Sequence, residues 1–96
     1  MTVWAYNDVG GLGQSFFRKY LLINKSTDTF DSMYVSPWSD PDLGTSTDDF
    51  AGCDTSLSIA YVYNAGPNDA EYAKFGLKPP AAGYDFLQGP LIRTNV

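Results

Sequence analysis

The sequence predicts a mainly β domain, a small antiparallel β-sandwich or half-sandwich with long loops, on three observations. Strand-favouring residues are plentiful while helix formers are scarce, with one Glu, two Gln and four Lys in 96 residues. Apolar and polar residues alternate with a period of two in several short segments. Turn-forming Gly, Pro, Asn and Asp collect between those segments. At 96 residues the chain is the size of one domain, so residues 1–96 are expected to form a single β domain.

Thr2 to Tyr6 opens with an apolar, aromatic run closed by Asn7-Asp8, and Gly10-Gly11-Leu12-Gly13 follows as a flexible turn. Gln14 to Asn24 is too rich in aromatic and β-branched residues for a helix and reads as a long strand. A polar turn over Asn24–Asp28 then predicts a hairpin into Thr29–Ser36, which Pro37 ends. From Ser39 to about Asp54 the chain reads as a loop rich in aspartate. Thr55–Asn64 shows the clearest alternation, with Leu57, Ile59, Tyr61 and Tyr63 on one face. Ala65 to Gly83 is irregular, with one helical turn expected within Asp69–Phe75, and Tyr84–Ile92 is expected to close the fold as a last strand.

Charge excludes some functions. The net charge is −5, and between Ser26 and Tyr72 there are nine acidic residues and no Lys or Arg. Such a surface repels phosphate backbones and anionic lipid heads, so nucleic acid is not an expected partner. No apolar run approaches the roughly 18 residues that span a bilayer, so membrane insertion is not expected. Cys53 stands alone, which excludes an internal disulfide, and it reads as a small buried hydrophobe. There is no histidine, so the commonest general base and zinc ligand is missing and the serines have no activator. The chain is expected not to be an enzyme.

The segment SDPDLGTSTDDFAGCD carries the most chemistry. Asp40, Asp42, Asp48, Asp49 and Asp54 fall within fifteen residues without a compensating base. Converging carboxylates either rise in pKa or hold a cation. Short oxygen ligands beside Gly and hydroxyls, with no thiolate or imidazole set, suit Ca²⁺. The EF-hand pattern does not fit: with Asp40 first, Gly44 stands fifth and Ala51 twelfth, where that loop needs glycine sixth and glutamate twelfth. The same aspartates would also serve as turn formers and helix caps without any metal.

With aromatic residues at 16 %, the rings are read first as core. Alternatively, Trp38, Tyr34, Tyr61 and Tyr84 stand exposed and stack on sugars, making a carbohydrate-binding module. A further alternative is a fragment of a larger hydrolase, for which paired carboxylates would need a cleft. Unpaired sheet edges would favour a homodimer.

The order of residues in YLLINKSTDTFDSMYVSPWSDPDLGTSTDDFAGCDTSLSIAYVYN, followed by PPAAGYDFLQGP, resembles an uncharacterised β module of large secreted proteins of Bacteroidetes-type bacteria. Those proteins often carry a C-terminal sorting tail for display at the cell surface. The resemblance spans about Phe17 to Leu91 and implies an extracellular or cell-surface location and a β-sandwich-like role beside other domains. It also implies that the acidic segment is suited to the Ca²⁺ plentiful outside cells. Separately, the partner expected of such a module is a protein or a glycan. These 96 residues contain neither a signal peptide nor a sorting tail, so the expectation is a piece of such a protein or a reading frame derived from one. The function expected is a non-catalytic extracellular structural or interaction module, stabilised by Ca²⁺ in the Asp40–Asp54 loop.

Overall fold

The computed structural model describes residues 1–91 and is mainly β, with two antiparallel sheets of two and three strands, as a half-sandwich class requires. Residue contacts divide the chain into two compact units, Met1–Met33 and Tyr34–Val96. Five strands, one 3-10 turn and one short helix are formed among the described residues.

In the first unit, β1 (Thr2–Ala5) pairs antiparallel with β2 (Phe16–Lys19), and the 3-10 turn Gly11–Gln14 lies in the connection. Trp4 sits directly opposite Phe17, and their rings stack with centroids 5.4 Å apart. Tyr6 meets the same Phe17 ring edge-on at 5.7 Å. A two-stranded ribbon is marginal alone, so these ring contacts are what fix its register. The polar turn expected at Asn24 is present: the Asn24 amide donates to the Asp28 carbonyl at 2.7 Å and accepts from the Ser26 amide at 2.9 Å. The long strands expected on either side of it are not formed. Pairing of β2 with β1 uses only Phe16–Lys19, and Thr29–Ser36 finds no partner strand.

In the second unit, β3 (Asp49–Asp54), β4 (Ile59–Asn64) and β5 (Ala81–Asp85) form a sheet in that order, antiparallel throughout. The last six residues of the expected acidic loop are therefore strand β3. Thr55–Ser58, read as the start of a strand, is instead the turn that folds β3 onto β4. Asp54 begins that turn by accepting the Ser56 amide, the Ser56 hydroxyl and the Leu57 amide at 2.9, 2.6 and 3.3 Å. This side-chain mimicry of a backbone turn is a local signal that outweighs the alternation of the following serines. The last strand lies at Ala81–Asp85 rather than Tyr84–Ile92, and Ile92 lies outside the described residues. The helical turn expected near Asp69 is formed as α1 (Ala70–Ala73), capped by the Asp69 carboxylate.

Alternation along the paired strands sorts the sheet into two faces. One carries Asp49, Ala51, Cys53, Asn64, Val62, Ala60, Ala82 and Tyr84; the other carries Phe50, Gly52, Tyr63, Tyr61, Ile59, Ala81 and Gly83. The first face is partly covered by the acidic segment, whose Leu43 is the one buried hydrophobic side chain among the described residues. On the second face Phe50, Tyr61 and Tyr63 are exposed. The rings expected to be core are thus largely at the surface, and Cys53 is exposed rather than buried.

Candidate functional site

The acidic segment crosses the first face of the sheet through a few directed bonds. The Asp49 carboxylate accepts the Leu43 amide at 2.9 Å, and Ser39 donates its hydroxyl to the Tyr84 hydroxyl at 2.7 Å. Gly44 has φ +90°, a left-handed conformation that side-chain-bearing residues rarely adopt, and a Cβ there would overlap the Asp69 carboxylate. The Thr45 amide donates to that carboxylate at 2.9 Å. Its other oxygen accepts the Glu71 and Tyr72 amides, each at 2.9 Å, as the cap of α1. Asp69 is almost wholly buried, and three backbone amides stand in for a counter-cation. The Tyr72 amide foremost, then those of Thr45 and Glu71, holds its carboxyl below the ordinary range, against desolvation that pushes upward.

The five aspartates expected to share a cation do not converge: no three acidic or thiol side chains among the described residues are grouped for a metal. Asp54 stands at the far end of β3 from Asp49, five residues away and on the opposite face, or about 17 Å at strand rise. Ligands of one Ca²⁺ each lie about 2.3–2.6 Å from the ion, so Asp54 and Asp49 cannot share one. Asp54 is a turn former, and its carboxyl is lowered by the Ser56 hydroxyl first and the Ser56 and Leu57 amides next. Asp40 and Asp42 are exposed and, with Asp49, border a hollow of about 200 Å³ lined also by Ser46, Ala51 and Val62.

Asp48, Asp49 and Asn64 differ from the rest. Oδ1 of each is buried and has no hydrogen-bond partner among the described residues. Asp49 and Asn64 are register partners, so their side chains leave the same face at adjacent positions, with Cβ atoms about 4.5–5.5 Å apart. Asp48 precedes them, and its carbonyl accepts the Ala65 amide at 2.8 Å. The Asn64 nitrogen donates to the carbonyls of Gly66 and Asn68 at 2.9 and 3.1 Å, which fixes its Oδ1 as the unpaired acceptor. The Asp49 carboxylate oxygen and the Asn64 amide oxygen, side by side in the register, are hard ligands of the kind Ca²⁺ takes.

Counting acids could not find Asn64, which is neutral. Its signal is positional, a strand-disfavoured Asn at the end of an alternating run whose register partner across a four-residue turn is an aspartate.

The aromatic candidates separate as well. Tyr61 lies on the open face beside Tyr63, ring centroids 6.0 Å apart, and Phe50 meets Tyr63 edge-on at 6.0 Å. Tyr61 lies over Gly52, where a Cβ would come within 2.6 Å of the ring. Tyr84 points to the other face and is tied to Ser39. Trp38 and Tyr34 are exposed and belong to neither strand face. No helix of the described residues is long and apolar enough to cross a membrane. Compared with protein-family models, with curated proteins and with solved structures, the chain matches none.

Proposed function

We propose that the chain is a non-catalytic structural or interaction module, working outside the cell, whose sheet and acidic segment are joined by a bound Ca²⁺. One observation carries this reading: Oδ1 of Asp49 and of Asn64, side by side in the sheet register, are both buried acceptors without a donor among the described residues. A buried, unpaired carboxylate oxygen is costly, and one hard cation between Asp49 and Asn64 relieves both oxygens at once. Asp40 and Asp42, at the edge of the adjoining hollow, add negative potential at its entrance. A bridging water would donate to both oxygens instead, and a calcium titration separates that case from an ion site.

The test is thermal unfolding in chelator and in millimolar Ca²⁺. At a free-ion concentration a hundred times Kd the added stability is about 2.7 kcal/mol. For a chain of this size that corresponds to about 10–20 °C in Tm. Equal melting temperatures in the two buffers would discard the metal.

A second reading, carbohydrate binding, is favoured by the exposed ring row Phe50, Tyr61 and Tyr63 beside the small residues Gly52, Ala81 and Gly83. This row replaces the expected set of Trp38, Tyr34, Tyr61 and Tyr84 as the stacking surface. Soluble oligosaccharides should then shift the ring resonances of Tyr61 and Tyr63; a spectrum unchanged across a glycan panel would remove the reading. Self-association is the third element: among the described residues β3 and β5 each present one edge with no strand beside it, and a homodimer would pair them.

A further inference from the structure

Asn64 is 8 % exposed and makes contacts in two directions. Its nitrogen holds the turn that follows β4 through the Gly66 and Asn68 carbonyls. Its oxygen is buried, unpaired and placed beside Asp49. The turn continues into Asp69, whose carboxylate grips the Thr45 amide of the acidic segment and caps α1. Lys78 donates to the Asn68 side-chain oxygen at 2.8 Å, so the same turn forms one wall of an open groove of about 390 Å³ with Tyr63, Pro79 and Pro80.

We infer that Asn64 is the joint through which Ca²⁺ controls the order of the Gly66–Asp69 turn. The amide oxygen ligates the ion together with Oδ1 of Asp49, while the nitrogen of the same planar group pins the turn. An amide is suited to both tasks, having an acceptor at one end and two donors at the other. A bound ion fixes the amide plane, and the fixed plane presents both N–H groups to the two carbonyls. Without the ion, the unpaired oxygen favours rotation of the side chain toward solvent, which releases the turn, the wall of the groove and the Asp69 contact with Thr45. This inference rests on the cation reading above.

The test combines calcium titration by calorimetry with amide hydrogen exchange on the intact chain. In the parent protein, Ca²⁺ should slow exchange at Thr45, Ala65, Glu71 and Tyr72, whose amides bond within this network. Asn64→Asp retains an oxygen ligand and removes both donors. It should bind Ca²⁺ at least as tightly as the parent while losing the calcium-dependent slowing. Asn64→Ala removes both functions, and its affinity should fall on the order of tenfold or more. Parent-like calcium affinity in Asn64→Ala would overturn the ligand role. Calcium binding by the parent without a change at the four amides, or slowing retained in Asn64→Asp, would overturn the coupling. Failure of the parent to bind Ca²⁺ at all would remove the cation reading itself, and the joint with it.

Discussion

Asp49 and Asn64 face each other across the last register position of β3 and β4, and each keeps a buried side-chain oxygen that no donor among the described residues reaches. Two acceptors side by side repel, so the pair is under electrostatic tension unless a cation or donor lies between them.

Replacing Asp49 with Asn distinguishes an ion site from a structural hydrogen bond. The new amide keeps an oxygen for the Leu43 amide and turns its nitrogen toward the Asn64 oxygen. Asp49→Asn should therefore lose the calcium-dependent rise in Tm while its metal-free Tm equals or exceeds that of the parent. Asp54→Asn, at the far end of the strand, should keep the calcium response. Paired thermal melts in chelator and in Ca²⁺ check both.

Gly44→Ala should be among the most destabilising single-methyl changes in the chain. It forces a left-handed φ on alanine and drives the methyl into the Asp69 carboxylate, which breaks the Thr45 bond. Strained backbone of this kind costs about 1–3 kcal/mol. Urea unfolding should show a lower midpoint at an unchanged slope.

Acid should weaken the second unit in a defined window. Asp69 and Asp54 both have folded-state pKa values below the ordinary 3.8. Groups of this kind stabilise fully above the unfolded value and lose that contribution as pH falls through the lower folded values. Stability carried by these carboxylates should thus be flat near neutrality and decline below about pH 4. Asp69→Asn should flatten the acid limb of a Tm-against-pH curve and lower its plateau, because an amide cannot accept from Thr45 and the α1 amides together.

In the first unit, Phe17→Ala removes the ring that both Trp4 and Tyr6 touch. Aromatic pairs contribute about 0.5–1.5 kcal/mol each beyond their buried area, so the β1–β2 ribbon should fray. A red shift of Trp4 fluorescence would report it, with Trp38→Phe as the background to isolate that signal.

Much of the fold was legible in residue type and alternation. The β class, the run at Thr2, the Asn24 turn and the Asp69 helical turn all follow from local chemistry. Strand boundaries around the acidic segment were not, because Thr55-Ser56-Leu57-Ser58 alternates like a strand and yields only to the Asp54 side chain bonding to its own turn. Long-range pairing was equally hidden. Phe16–Lys19 joins β1, which precedes it, and nothing within Gln14–Asn24 announces that choice. For the site, composition located the segment and two of the three unpaired oxygens. The third belongs to Asn64, which carries no charge, and only register brings it to Asp49.

The bond from the Thr45 amide to Asp69 spans 24 residues of chain, and this sets an order of events during synthesis. When Gly44 and Thr45 emerge, neither the carboxylate that holds them nor the partner strand of β3 has yet been made. The acidic segment must wait for β4, the following turn and the first residues of α1 before its native conformation is favoured. A growing chain paused short of residue 69 therefore carries the Gly44–Thr45 turn without the carboxylate that holds it.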